Sequence, residues 1–253
     1  MVKIKSKSEI EKMKIAGEIT FGALQAVKAV IKPGVTTAEL DHAAEKYIRS
    51  KGCTPSFKGY GGFPGSICAS VNDEIIHGIP GKRVLHEGDI ISIDVGACYK
   101  GYNGDACRTF GVGRISSEAQ RLIDVTRQSF FEALPFVKEG YRISDISAAV
   151  QQYVESNGYS VLRNYCGHGV GADMHEDPEI PNYVTNMRGI RIRPGMCLAI
   201  EPMVCQGGKE HYVSSNEWTV YTRDGKLSAH YENSVLVTQG EPFLLTLPEG
   251  ADD

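Results

Sequence analysis

The sequence lacks the features that would place it in a membrane or among disulfide-bonded secreted proteins. None of its apolar runs approaches the roughly 18 residues that a membrane-spanning helix needs. The segment after Met1 contains lysines instead of an apolar stretch, so no signal peptide is expected. The 7 cysteines are odd in number and none forms a C-x-x-C pair, a usage typical of free thiols in a reducing compartment. We therefore expect a cytoplasmic location.

The charges are nearly balanced, which argues against a nucleic acid or a membrane surface as the main partner. Lys and Arg total 27, Asp and Glu total 31, and the net charge is −4. The only basic stretch is the short start of the chain, where Lys3, Lys5 and Lys7 are expected to lie in solvent. Contact of these lysines with the ribosome is left open. No exposed apolar stripe is evident, so a monomer is expected.

A weak internal repeat predicts two related halves. The segment after Gly34 resembles the segment after Gly140, and the segment that ends at Asp94 resembles the one that ends at Glu201. Both matches occur in the same order at nearly the same offset, which chance seldom produces. We predict a single catalytic domain over 1–253 with half-repeats of about 1–113 and 114–253.

The local patterns predict helices followed by antiparallel strands in each half. Ser8 and Glu11 have the spacing of a helix-capping box, and so do Thr36 and Glu39. The segment 90–97 alternates in the manner of a strand. These patterns favour an α+β fold with one continuous, mainly antiparallel sheet that is covered by helices on one face.

Two carboxylates lie on adjacent strand-like segments. Asp94 ends an apolar run, and Asp105 follows across Lys100 and Gly101. If these two residues centre a turn, Asp94 lies opposite Cys107, and Asp105 is one diagonal step along the same face. Side chains in that relation are roughly 7–8 Å apart at the backbone. Two such carboxylates repel unless a cation lies between them.

The second half supplies two more carboxylates. Glu201 stands at the repeat position of Asp94, and Glu232 lies among apolar strand residues. Four buried and unpaired carboxylates would cost far too much free energy. Two divalent cations would balance their charge.

Histidines in a glycine-rich segment complete the candidate site. His168 and His175 lie in GHGVGADMHEDP, which no packing pattern explains, and His77 is a weaker third candidate in IIHGIP. An oxygen-rich ligand set with one imidazole favours Mn, Fe, Co or Zn in a two-metal hydrolytic site. Other histidines are interpreted as ordinary surface or core residues: His42, His86, His211 and His230.

The ordered combination of these residues resembles the metal ligands of the type I methionine aminopeptidases. The ligand set stands in the contexts DVG, GDACRTF, GHGVG, IEP and YENSV: Asp94, Asp105, His168, Glu201 and Glu232. The resemblance covers essentially the whole chain. It implies the pita-bread fold, in which two pseudo-symmetric halves with a curved, mainly antiparallel sheet enclose two divalent metal ions. It also implies removal of the initiator methionine from nascent proteins whose second residue is small.

The same resemblance implies roles for individual residues. Glu201 would be the general base for a water held between the metals. His175 would hydrogen-bond the scissile amide, and His77 would contact the substrate backbone and assist proton transfer to the leaving amine. The substrate's free amine would bind a metal. The residues expected to line the methionine pocket, with Phe57 nearby, are Tyr60, Phe63, Cys68, Met174 and Trp218.

Some positions depart from the pattern of bacterial relatives. Phe63 stands where Tyr is common, and Met174 stands where Phe is common. Both changes keep the pocket apolar, so methionine preference should persist. No Cys/His module precedes the catalytic part, and only a short segment separates His175 from Glu201, which indicates the short bacterial form.

Two other functions are compatible with parts of this pattern. A prolidase or aminopeptidase P of the same fold carries a large additional N-terminal domain, whereas the segment before His77 is accounted for by the first half-repeat. A relative that binds proteins or RNA without catalysis should lack at least one ligand, and this chain has all five.

Overall fold

A computed structural model describes residues 2–251 of the chain. In this range, none of the helices is long and apolar enough to cross a membrane. The helices are α1 (Lys7–Lys28), α2 (Thr37–Ser50), α3 (Ser117–Ala133) and α4 (Ile143–Ser156). The strands are β1 (Thr54–Pro55), β2 (Ile67–Val71), β3 (Glu74–Ile76), β4 (Ile90–Tyr99), β5 (Tyr102–Gly111), β6 (Ser160–Val161), β7 (Cys166–Gly169), β8 (Glu176–Pro181), β9 (Cys197–Ile200), β10 (Met203–Cys205), β11 (His211–Val213), β12 (Val220–Thr222), β13 (Ser228–His230), β14 (Glu232–Leu236) and β15 (Phe243–Leu244).

A sheet of nine antiparallel strands runs through both halves of the chain. Its order is β1-β4-β5-β14-β9-β7-β8, with β2 beside β4 and β15 beside β14. Strand β14 lies between β5 from the first half and β9 from the second half. Two three-stranded sheets accompany it, β13-β10-β6 and β11-β12-β3. The α+β prediction with a mainly antiparallel sheet is confirmed.

The helices cover one face of this sheet. Ile91, Ile93 and Val95 of β4 are fully buried in a cluster with Leu24 of α1 and Leu40 of α2. In the second half, β9 and β14 contribute to an equivalent cluster with residues of α3 and α4. Because successive strand residues point to opposite faces, Asp94 faces away from the helices that pack against Ile93 and Val95. The candidate site occupies that second face.

The helix starts agree with the capping pattern only in part. The Thr36–Glu39 box is present, since the backbone N–H of Thr36 donates to Glu39 Oε2 at 2.8 Å. The expected box at Ser8 is wrong, because α1 already begins at Lys7 and its N-cap is Ser6. Ser6 is extended, with φ −69° and ψ 164°, and its N–H donates to Glu9 Oε2 at 2.7 Å. Either serine has the required spacing to a glutamate, so the pattern could not choose between them.

The expectation that the N-terminal lysines lie in solvent is wrong for Lys5. Its ammonium group forms an ion pair of 2.5 Å with Glu176 Oε2, and both side chains are buried. Lys3 donates to Asp173 Oδ2 at 2.6 Å, and the backbone N–H of Lys5 donates to the carbonyl of Gly195. The start of the chain is therefore bound to the beginning of β8, to the loop before it and to the loop before β9.

Candidate metal centre

The β4–β5 hairpin places two carboxylates on the face that the helices leave uncovered. Asp94 pairs with Cys107 and Gly96 pairs with Asp105, which is the register that the sequence predicts. The turn consists of Lys100 and Gly101, with φ of 47° and 80°. Two residues with positive φ form the turn type whose twist matches that of the strands. Asp94 and Asp105 are therefore diagonal neighbours.

Strand β14 adds a third carboxylate to the same row. Glu232 pairs with Cys107, so Asp94, Cys107 and Glu232 lie side by side across three strands. Glu201 directly follows β9, the next strand of the sheet. Four carboxylates from both halves of the chain thus converge on one surface.

His168 on β7 completes the set. Its Nδ1–H donates to the carbonyl oxygen of Gly169 at 2.9 Å, which leaves Nε2 as the nitrogen with a free lone pair. Nε2 lies 3.6 Å from Asp105 Oδ2 and 3.6 Å from Glu201 Oε1. The fold therefore brings together all five residues that the sequence names as metal ligands.

A second imidazole lies in this cluster, and sequence reasoning missed it. The sequence pattern predicts an ordinary residue at His230, yet its Nε2 lies 3.5 Å from Glu201 Oε2 and the side chain is buried. The donor atoms of Glu201, His230 and Glu232 all lie within 4.8 Å of one another. A signal existed, because His230 precedes Glu232 by two residues in a strand-like segment and so belongs to the same face.

The electrostatics of the cluster fit a divalent cation. Asp94 Oδ1, Asp105 Oδ1 and Glu232 Oε1 are buried without a hydrogen-bond partner. Burial raises the pKa of Asp94 to about 7 and that of Glu201 to about 8. Burial, and then repulsion by the neighbouring carboxylates, raises the pKa of Asp105 and of Glu232 well above the ordinary range. Cations among these oxygens would replace the missing hydrogen bonds and offset the repulsion.

An apolar cavity of about 160 Å³ opens beside the carboxylates. Phe63 packs edge-on against Trp218, with ring centroids 5.1 Å apart. Met174 is buried in the same apolar cluster as Phe63 and Cys68. The lining residues are Phe57, Tyr60, Phe63, Cys68, His77, Asp94, Asp105, His168, His175, Glu201, Trp218 and Glu232.

Two further histidines border this cavity. His175 lies at its mouth, hydrogen-bonded through Nδ1 to the Tyr60 hydroxyl at 2.8 Å and 4.2 Å from the His168 ring. Partial burial lowers the pKa of His175, and burial lowers the pKa of His77 to about 4. His77 has a φ of 58°, in the left-handed region that few residues other than glycine adopt. Both imidazoles are neutral at pH 7.

Residues 11–239 match the sequence profile of metallopeptidase family M24. The chain belongs to metallopeptidase family M24. Membership implies the use of divalent metal, in agreement with the carboxylate and imidazole cluster. This M24 chain is 55% identical to the methionine aminopeptidase of Clostridium acetobutylicum, over 98% of its own length and 100% of the relative's.

Solved structures of family members have the same fold. A methionine aminopeptidase from Thermotoga maritima matches with a TM-score of 0.95 at 45% identity, covering 97% of this chain and 99% of that one. A prolidase from Pyrococcus furiosus matches with a TM-score of 0.80 at 25% identity, covering 97% of this chain but only 66% of the prolidase. The expected pita-bread fold is confirmed. The match covers at least 99% of the length of these methionine aminopeptidases but only 66% of the length of the prolidase.

Proposed function

We propose that this M24 metallopeptidase removes the initiator methionine from nascent proteins whose second residue is small. The observation that carries the proposal is the contact between an apolar cavity and a buried carboxylate cluster, in a chain that is full-length similar to methionine aminopeptidases. An unbranched thioether fits a small aromatic-lined cavity, where sulfur gains favourable contacts with ring edges.

Two divalent ions are the expected cofactors. Asp94, Asp105 and Glu232 would hold the first, and Asp105, Glu232 and Glu201 together with His168 would hold the second. Bound ions supply Lewis acidity, which lowers the pKa of water and polarises the scissile carbonyl. The donor set accepts Mn, Fe, Co or Zn, because carboxylates and one imidazole discriminate weakly among these metals.

The chain's own residues move the proton and orient the peptide. Glu201 would accept the proton of the attacking water and return it to the leaving amine, because its carboxylate lines the cavity beside the other proposed metal ligands. Neutral His175, held by Tyr60, would donate a hydrogen bond at the scissile amide. His77 would contact the substrate backbone from the opposite wall of the cavity.

The mouth of the cavity supports a preference for small second residues. Tyr60 and His175 are hydrogen-bonded across it, and their rings are 5.2 Å apart. The peptide's second side chain would pass this pair as the first side chain enters the cavity. A long second side chain would have to displace the pair.

A peptide assay tests the proposal. Chelator-treated protein receives Mn(II) and is offered Met-Ala-Ser, Met-Lys-Ser and Ala-Pro-Ala, with products read by mass spectrometry. Release of Met from the first peptide alone, and only with metal, is the expected result. Cleavage of Ala-Pro-Ala would move the chain to the proline-directed branch. Failure to cleave any peptide with several divalent metals, in folded protein, would favour a non-catalytic binder.

Cytoplasmic action as a monomer follows from the same proposal. Nascent chains carry their initiator methionine in the cytoplasm, close to the ribosome. One chain supplies the whole set of carboxylates, histidines and cavity residues. Sedimentation of the metal-loaded protein would reveal a dimer if a second copy were needed.

A further inference from the structure

Two imidazoles lie at similar distances from the Glu201 carboxylate. Its Oε1 faces His168 Nε2 at 3.6 Å, and its Oε2 faces His230 Nε2 at 3.5 Å. The first imidazole is an expected metal ligand. The second has no role in the reaction outlined above, although the side chain is buried among the same carboxylates.

The separation between His230 and Glu201 is that of two ligands on one ion. Nitrogen and oxygen ligands bind such ions at about 2.0–2.2 Å, so two neighbouring ligands of one ion lie about 3–4 Å apart. A direct hydrogen bond would be shorter, and His230 Nε2 is a buried atom without a hydrogen-bond partner. Glu232 supplies a third donor within 4.8 Å of both.

We propose that His230 is an additional nitrogen ligand of the metal centre, next to Oε2 of Glu201, whereas His168 lies next to Oε1. The inference rests on the proposed function, because it concerns the same ions. It changes the donor set from one imidazole to two. A second imidazole favours Co, Fe and Zn over Mn, which prefers oxygen ligands. Metal choice in this chain would then depend on a residue outside the five ligands of the family pattern.

Proton NMR of the Co(II)-loaded protein tests the proposal directly. An imidazole that binds Co(II) shows a strongly shifted N–H signal that disappears in D₂O. Two such signals are expected in the unchanged protein, one in His230→Gln and one in His168→Gln. His42→Gln is the matched control, because His42 is an exposed histidine of α2, and both signals should remain.

Titration of the metal-free protein gives a second readout. His230→Gln should weaken Co(II) binding by about tenfold or more, with a smaller loss for Mn(II). If His230→Gln does not fold, the other two proteins still test the proposal. The unchanged protein should show two shifted N–H signals, and His168→Gln should show one.

One N–H signal in the unchanged protein, absent from His168→Gln and retained in His230→Gln, would overturn the proposal while leaving the proposed function intact. Absence of Co(II) uptake by the folded, unchanged protein would instead contradict the proposed function itself. The two failures are therefore distinguishable.

Discussion

Glu201 combines two properties that usually exclude each other in a carboxylate, burial and a place among three other carboxylates. Burial raises its pKa to about 8, and an imidazole nitrogen lies within 3.6 Å of each of its two oxygens. In the metal-free protein this group takes up a proton near neutrality, and its oxygens also suit a divalent cation. Its substitution is therefore the most informative single change at the level of the residue.

Glu201→Gln should keep the fold and lose most of the activity. The amide has nearly the same shape but is not a base, and general-base catalysis contributes about 10²–10⁴-fold. Methionine release from Met-Ala-Ser at saturating metal measures the loss. Glu179→Gln, an exposed carboxylate on β8, is the control. Turnover within a few-fold of that of the unchanged protein would show that Glu201 is not the general base.

His175→Ala should lower kcat, because it removes the proposed hydrogen bond to the scissile amide. Metal binding should persist, because His175 packs against the ring of His168 and is not one of the proposed ligands. Tyr60→Phe should give the same change in a milder form, since it removes only the hydroxyl that holds His175 Nδ1. Steady-state kinetics and Co(II) titration of both variants provide the measurement. Loss of metal binding in His175→Ala would show that His175 is a metal ligand.

Sequence reasoning found the carboxylates of this centre because their signal is local. Asp94 and Asp105 interrupt alternating strands on either side of a two-residue turn, so their shared face follows from the period of a strand. His230 gives the same signal two residues before Glu232, but a histidine in a strand is ordinary when taken alone. Its contact with Glu201 depends on the pairing of distant strands.

At the level of the element, the loop that carries Met174 and His175 depends on the start of the chain. The Glu176 carboxylate forms ion pairs with the ammonium groups of Lys5, at 2.5 Å, and of Lys3, at 3.3 Å. The side-chain amide of Asn103 donates to the carbonyl oxygen of Gly171 at 2.9 Å on the other side of the loop. The loop is therefore held by contacts from two separate elements.

Lys5→Met should lower the free energy of unfolding by about 3 kcal/mol. The buried Glu176 carboxylate would then keep only its longer ion pair with the exposed Lys3. It should also lower kcat, since the loop that positions His175 loses an anchor. Urea denaturation and methionine release measure the two effects. Lys7→Met, an exposed neighbour, should change stability by less than about 0.5 kcal/mol. Equal effects of the two variants would show that the ion pair does not brace the loop.

The elements themselves were largely predictable, whereas their connections were not. Alternation and the Lys100–Gly101 turn gave the β4–β5 hairpin and its register. Helix starts were placed within about two residues, as local patterns usually allow. The ion pair between Lys5 and Glu176 joins residues 171 positions apart, and such contacts have no local signature.

For the whole molecule, the site makes the metal-free protein less stable as the pH rises above about 6.5. Raised pKa values, about 7 for Asp94 and about 8 for Glu201, mean that the folded state binds more protons than the unfolded state in this range. The lowered pKa values of His77 and His168, both about 4, act in the opposite direction but only below about pH 6.5. The free energy of unfolding should therefore fall between about pH 6.5 and pH 8.

Urea denaturation of the chelator-treated protein at several pH values in this window measures the effect. Added Mn(II) should reverse it, because an ion that binds only the folded state stabilises that state and displaces its protons. Stability that stays level or increases with pH in the absence of metal would contradict the assignment of protonated carboxylates.

The position of β14 in the sheet has a consequence for how the protein is made. This strand joins β5 of the first half to β9 of the second half and carries Glu232. It is also synthesised after every other strand of the centre. The two halves can begin to form while translation continues, but the shared sheet closes only when β14 has left the ribosomal tunnel. Metal uptake is thus a late event in biogenesis, and a chain that is truncated before this strand acquires no complete centre.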